Sequence, residues 1–442
     1  RDDGVIFISI DDNEVDNLKK LCNEVFGEEN FVSQFIWERA FSPKNDAKFV
    51  STSHDYVFMY VKSIETFNVG RLDRTEEMEN RYKNPDDDPR GSWTSGDLSV
   101  KTYNVNTDYE ITTPSGRIVT PPHGACWRVS KERFAELVKD NRIWFGESGD
   151  NVPRLKRFAS DVQDGMVPTS ILFYKDVGHS QQGRQELKKL FDDKGYFDGP
   201  KPVGLINRLL KIGNVIGDDI ILDFFSGSAT TAHAVMRLND EDGGNRRYIL
   251  VQLPEVCDEN SEAYKAGYKN ICEIGKERIR RAGKKLMEID GQMQLDDAER
   301  QLMDVGFKVY KLDTSNLKTW DSEPIADDDL LTLYDRMNQM ISRVKPDRSD
   351  MDMVSEIMLK LGVPLTYPVG RNALNGKAVY AVGADCLLLI CLAENVQPTD
   401  VEAMAEYAPA KVIISRDSFT DDTAMANAYY ILRDKGIELK LV

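Results

Sequence analysis

The stretch Asp218-Asp219-Ile220-Ile221-Leu222-Asp223-Phe224-Phe225-Ser226-Gly227-Ser228-Ala229-Thr230-Thr231-Ala232-His233-Ala234-Val235 decides how this chain folds. A short apolar strand ends in an acid, turns through small residues and opens directly into a helix. That order makes a crevice at the carboxyl end of a parallel strand, where nucleotide-like ligands sit in open α/β sheets. Small residues at 226–229 let the backbone approach a ligand closely, and Asp223 is placed to hold a cationic amine. An ordinary α/β domain uses the same strand-turn-helix, so this segment alone leaves both readings open.

The flanking sequence narrows the choice. Residues 197–217 hold Lys201-Pro202-Val203, the start of a Pro-initiated amphipathic helix that leads straight into the strand. A Lys-Pro-Val helix, a spacer, and then Leu222-Asp223-Phe224-Phe225-Ser226-Gly227-Ser228-Ala229-Thr230-Thr231 resembles the cofactor half of the amino-methyltransferases that act on DNA. In that family the two stretches form the S-adenosylmethionine pocket. The resemblance therefore implies that Lys201, Pro202, Asp223, Phe224, Phe225, Gly227, Thr230 and Thr231 bind the cofactor. Gln252, with Glu255 close by, ends the next strand, where relatives often place an acid for the ribose hydroxyls. Ala229 stands where the family usually has Gly, and its methyl either crowds the cofactor or tightens the turn. Phe225 either flanks the adenine ring or packs in the core. Lys201 either lines the site or starts a solvated helix, and His233 reads as structural.

The resemblance extends along the chain. Gly4 to Glu14, Phe26 to Phe31, Ser42 to Lys48, Arg142 to Gly146, Asp176 to His179 and Asp242 to Glu255 are similar to the modification subunit of type III restriction-modification systems. It implies an adenine-N6 DNA methyltransferase with a Rossmann-like, S-adenosylmethionine-dependent α/β core, formed by 1–62 and 166–304. A target-recognition insertion would span 63–165, and a small C-terminal α/β domain would span 305–442. The implied partners are double-stranded DNA, a helicase-nuclease restriction subunit and a second copy of the chain, in the cytoplasm. Ser42, Lys44, Asn45 and Lys48 lie on a loop suited to phosphates or base edges, or simply to solvent. His54-Asp55-Tyr56 resembles a family motif near the flipped base, although Tyr56, Phe58 and Tyr60 alternate as core residues do. Arg154, Lys156 and Arg157 are candidate phosphate contacts or a solvated charged face.

Composition sets the bounds. At 442 residues there is room for two or three domains, and no apolar run is long enough to span a bilayer. The net charge of −17 argues against a protein that coats DNA nonspecifically. Residues 61–160 are neutral, however, whereas 301–442 carry −7. Six cysteines show no CxxC pair, and four scattered histidines show no HExxH, so packing thiols are expected and a metal site is not. Strands are expected at 4–10, 31–37, 54–62, 219–224 and 247–252, and helices at 14–26, 130–140 and 229–239, with Ser130 as a helix cap.

One piece of the chemistry is missing from this sequence. Methyl transfer to an exocyclic amine needs the base out of the stack and the amine polarised. In the family an Asp/Asn/Ser-Pro-Pro-Tyr/Phe motif performs the second task. Thr120-Pro121-Pro122-His123 and Asn84-Pro85-Asp86 do not fit it. The family order places that motif upstream of Arg1, so a truncated chain is the first expectation and a catalytically dead relative the second. A recognition and scaffolding module is the rival function. A methyltransferase for RNA or a small molecule shares the pocket but not the insertion.

Overall fold

Runs rich in β-branched and aromatic residues become strands here, and the amphipathic segments between them become covering helices. The structure, a computed structural model, describes residues 1–43, 47–161, 165–293, 304–325, 329–340 and 343–442. The chain divides into two compact units, Arg1–Gly306 and Phe307–Val442.

The first unit opens with β1 (Val5–Ile10), α1 (Val15–Phe26), β2 (Phe31–Glu38), β3 (His54–Val61), β4 (Trp93–Asp97), α2 (Lys131–Lys139), β5 (Ile143–Trp144) and β6 (Arg154–Phe158). It continues through β7 (Ile171–Leu172), α3 (Ser180–Leu190), α4 (Val203–Ile212), β8 (Ile220–Asp223), α5 (Thr230–Asp242), β9 (Arg247–Leu250) and α6 (Ile271–Met293). Strand β3 lies between β1 and β2, antiparallel to both, and β7 adds parallel to β2. Residues Val57 to Val61 are all buried because each face of β3 is covered. Leu18 and Cys22 of α1 pack on Phe58 and Tyr60. On the other face Leu205, Leu209 and Ile212 of α4 cover Val57, Met59 and Val61. Phe58 and Tyr60 are thus core residues, while Tyr56 is only half-buried.

Strands β8 and β9 are parallel, joined through α5. Val203 and Leu210 of α4 and Ala234, Val235 and Leu238 of α5 cover the face that carries Ile221 and Tyr248. The opposite face, with Ile220, Leu222 and Ile249, is exposed among the described residues.

Residues 63–160 form their own small core from Leu98, Ile111, Val119, Trp127, Leu137 and Ile143. Ser130 caps α2 as expected, accepting a hydrogen bond from the Arg133 amide at 3.3 Å. Strand β6 pairs antiparallel with both β4 and β5. Lys156 departs from the phosphate-contact reading. Its side chain is wholly buried, and its ammonium pairs with Asp86 and Asp88. The rings of Trp93 and Trp144 lie 5.4 and 6.0 Å from it. An ammonium enclosed in this way cannot reach DNA. The Arg90 guanidinium donates two 2.9 Å bonds to Asp88 and holds its carboxyl well below the usual carboxylate range.

The second unit runs α7 (Leu330–Gln339), α8 (Asp350–Lys360), β10 (Val369–Leu374), β11 (Lys377–Val382), β12 (Leu388–Cys391), α9 (Pro398–Ala405), β13 (Lys411–Ile414), α10 (Asp422–Asp434) and β14 (Glu438–Leu441). Its sheet has the order β10-β11-β12-β13-β14, antiparallel at first and parallel from β12 onward. Helices α9 and α10 pack Val401, Met404, Ala428 and Leu432 against one face. Val354, Ile357 and Met358 of α8 cover the other. All six cysteines are free thiols. Among the described residues no His/Cys/Asp/Glu group could hold a metal ion, and no helix is long and apolar enough to cross a membrane.

Removing one partner from a buried ion network leaves the other charge stranded. Asp88→Ala is expected to destabilise the protein by about 3 kcal/mol in urea denaturation, with Lys156 then left to Asp86 and Arg90 to Asp140. Arg154→Gln, on the same strand but in an exposed pair with Asp97, should stay within about 0.5 kcal/mol.

Candidate cofactor site

The turn that follows β8 is held from three directions. Asp223 closes it locally: one carboxylate oxygen accepts the Phe225 amide at 3.2 Å, the other the Thr231 hydroxyl at 2.6 Å. From the neighbouring strand, the Gln252 side-chain oxygen accepts the Gly227 amide at 2.7 Å. From behind, Arg278 of α6 donates to the Ser228 hydroxyl at 2.8 Å and to that of Thr230 at 2.7 Å. Gly227 has φ +50° and Ala229 φ +59°. Two left-handed residues in three turn the chain sharply enough for α5 to start at Thr230. Ala229 is buried, and its methyl lies 3.5 Å from where a side chain on Gly275 would begin, so it seats the turn on α6.

The Lys-Pro segment meets this turn directly. The Thr230 hydroxyl donates to the Lys201 carbonyl at 3.3 Å. Glu186 of α3 accepts the Val203 amide at 2.9 Å, which satisfies a first-turn donor of α4. Helix α3 comes so close that a Cβ on Gly183 would lie 2.3 Å from the Pro200 carbonyl. The Lys201 ammonium sits 3.7 Å from Asp55 and 4.9 Å from the Trp37 ring centroid, so the half-exposed side chain lies against the ends of β2 and β3. Asp55 also pairs with Arg39 at 2.8 Å, beside His54.

Lys201, Pro202, Asp223, Gly227, Thr230, Thr231 and Gln252 therefore converge. Phe224 and Phe225 follow the end of β8 with their ring centroids 5.2 Å apart, and Phe225 is 80 % exposed and so not a core residue. Glu255 is exposed. Ser42 and Lys48 are exposed too, and Lys44 and Asn45 lie outside the described residues. Arg154 and Arg157 lie on β6, in the insertion, with their side chains exposed. Arg278 had no signal in the sequence reading, since a basic residue within a charged helix looks solvated. It is fully buried, its Nε and Nη2 have no hydrogen-bond partner among the described residues, and burial pushes its pKa down to about 10. His233 lies nearby. Burial first, and then the charges of Arg278, Arg237 and Lys285, lower its pKa to about 3.

Two outcomes follow. Arg278→Met keeps the packed volume while removing both the desolvated charge and its loop bonds, effects that oppose one another in overall stability. The melting temperature should move little, while amides 227–230 lose protection in hydrogen exchange. His233 stays neutral in the folded chain, but its unfolded counterpart titrates near 6.5. The unfolded state thus takes up a proton that the folded state refuses, and stability falls as pH drops from about 6.5 toward 3. Thermal melts of His233→Gln should show a flatter pH dependence between 6.5 and 5.

With the site described, the relationships of the chain are plain. Residues 1–282 match the family described as DNA methylase. The chain is 35 % identical over 325 residues to the StyLTI Mod subunit, a type III restriction-modification enzyme of Salmonella typhimurium, covering 73 % of this chain and 47 % of that one. It is 33 % identical over 313 residues to the EcoPI Mod subunit of Escherichia phage P1 (64 % and 48 %), and 30 % identical over 305 residues to the type II methyltransferase M.KpnI of Klebsiella pneumoniae (63 % and 69 %). The chain spans about half the length of the two Mod subunits. Matched over more than half its residues, the chain belongs to the DNA methylase family.

Proposed function

We propose that this chain carries the cofactor-holding and DNA-reading parts of an adenine-N6 DNA methyltransferase, as a modification subunit of a type III restriction-modification system. The observation that carries the reading is the turn at 226–229. Gln252 and Arg278 hold its small residues, Asp223 clasps Phe225 and Thr231 on either side of it, and Thr230 ties it to the Lys201–Pro202 segment.

The residues fit S-adenosylmethionine. The small side chains of the turn at the carboxyl end of β8 let a ligand approach the backbone closely, and the exposed Phe225 ring offers an adenine a stacking face. Gln252 is occupied with the Gly227 amide, so the ribose hydroxyls fall to the exposed carboxylate of Glu255. Lys201, Asp55 and Arg39 make a fixed charged edge beside His54 that orients whatever lies across it. The bound cofactor would supply the electrophilic methyl; the protein holds it and excludes water. The insertion at 63–165 would engage duplex DNA, and residues 305–442 would serve self-association or docking of a helicase-nuclease subunit. The similarity to Mod subunits supports those assignments.

Calorimetry with S-adenosylmethionine tests the pocket. One molecule should bind per chain, and Asp223→Ala should weaken binding at least about tenfold by loosening the turn. An unchanged affinity in the variant would refute the pocket as drawn. Incubation with labelled cofactor and unmethylated bacterial DNA then separates the functions. N6-methyladenine in the digest means that these residues suffice for transfer. Binding without transfer leaves recognition and scaffolding as the role of this chain.

A further inference from the structure

The insertion contains a cavity that the cofactor site does not use. It measures about 290 Å³ and lies against β4, β5 and β6, near the lower end of the size range of small-ligand sites. Trp93 and Trp144 line it, with Arg81, Lys83 and Arg154 as cations and Asn151 as a neutral donor, and no carboxylate among the lining residues. That last feature stands out within the insertion. Four arginines elsewhere in the insertion are each paired with an acid: Arg90 with Asp88, Arg117 with Asp150, Arg133 with Glu136 and Arg142 with Asp161. Lys83 has no ion-pair partner among the described residues, and Arg154 holds only the exposed Asp97 at 3.0 Å.

The buried network explains how such a cavity is kept in shape. On β6, Arg154, Lys156 and Phe158 share one face, opposite Asp97, Ser95 and Trp93 of β4. Lys156 points inward to Asp86 and Asp88, and Asp86 accepts the Trp93 indole N–H at 2.8 Å. Trp93 is thus locked by a hydrogen bond, and Trp144 stands 5.4 Å from it. Because Lys156 is matched by carboxylates, the positive field at the mouth comes from the rim cations alone.

We propose that this cavity seats the DNA backbone: Lys83 and Arg154 hold a phosphodiester, Asn151 donates to one of its oxygens, and Trp144 packs against the adjoining sugar. The assignment rests on the DNA-methylase reading and adds to it the place where the insertion grips the duplex. Phosphate contacts position a protein without reading sequence and release counterions, so each one contributes to the salt dependence of binding.

Fluorescence anisotropy of the full chain with a labelled duplex, titrated across salt concentration, tests this. Lys83→Gln/Arg154→Gln should bind at least about fivefold more weakly near 100 mM salt, and the slope of log affinity against log salt should shrink by about 2, close to one per phosphate contact. Lys83→Gln alone, which frees no carboxylate, should show about half of the slope change. Lys101→Gln/Arg128→Gln, exposed in the same insertion but outside the cavity, should leave the slope within about 0.5 of the parent. A double variant with the parent's affinity and slope would overturn the seat while leaving the DNA reading intact, and so would an equal loss in the Lys101/Arg128 control. Failure of the parent itself to bind duplex DNA would overturn the DNA reading, and the seat with it.

Discussion

Everything at the candidate cofactor site depends on keeping a four-residue turn in a shape that most sequences avoid. Two of its residues are left-handed, and one of these is an alanine, which gives up roughly 1–2 kcal/mol to be there. The turn persists because it is over-determined. Gln252, just past the neighbouring strand, and Arg278, on a helix some 50 residues on, bond two of its residues, and Asp223 at the strand end bonds the residues that flank it. A loop with that many independent anchors is organised before any ligand arrives, so binding costs it little further ordering.

Much of this fold can be read in the sequence. The expected strands at 31–37, 54–62, 219–224 and 247–252, and the helices at 14–26, 130–140 and 229–239, appear within a few residues of those bounds. They do so because local pattern and tertiary environment agree: apolar runs lie under helices, and Ser130 caps where a serine should. The side chains named around the turn also converge, since strand-turn-helix spacing fixes their relative positions through backbone geometry alone. What escaped was long-range burial. Arg278 sits in the run Lys276-Glu277-Arg278-Ile279-Arg280-Arg281, whose composition reads as a solvated face, yet its position on the helix points it into the back of the turn.

Lys156 shows the same limit from the other side. In Arg154-Leu155-Lys156-Arg157-Phe158 three cations look equivalent. Period-2 geometry puts Arg154 and Lys156 on one face and Arg157 on the other, but only the packed sheet shows that the middle of the first face is roofed by two tryptophans. The acids that neutralise Lys156 lie some 70 residues upstream, in Pro85-Asp86-Asp87-Asp88-Pro89, a segment that reads as a polar loop. A charge becomes structural when its partner is covered with it, and neither sequence spacing nor composition reports covering.

The parallel pair β8–β9 makes the final link between stability and function. Two strands with helices over one face are a marginal structure by themselves, because parallel strands normally draw stability from both faces. Here the described residues cover only the face that carries Ile221 and Tyr248, and Ile220, Leu222 and Ile249 stay exposed. The strand end at Asp223 is therefore steadied mainly by α4, α5 and α6. These helices are in turn fastened to the turn by the Thr230–Lys201 and Arg278–Ser228 bonds and to α3 through Glu186. Helix packing and loop geometry are one mechanical unit in this half of the chain. A change that loosens α6 should be felt at the cofactor turn before it is felt in β1–β3, whose core is sealed on both sides by α1 and α4.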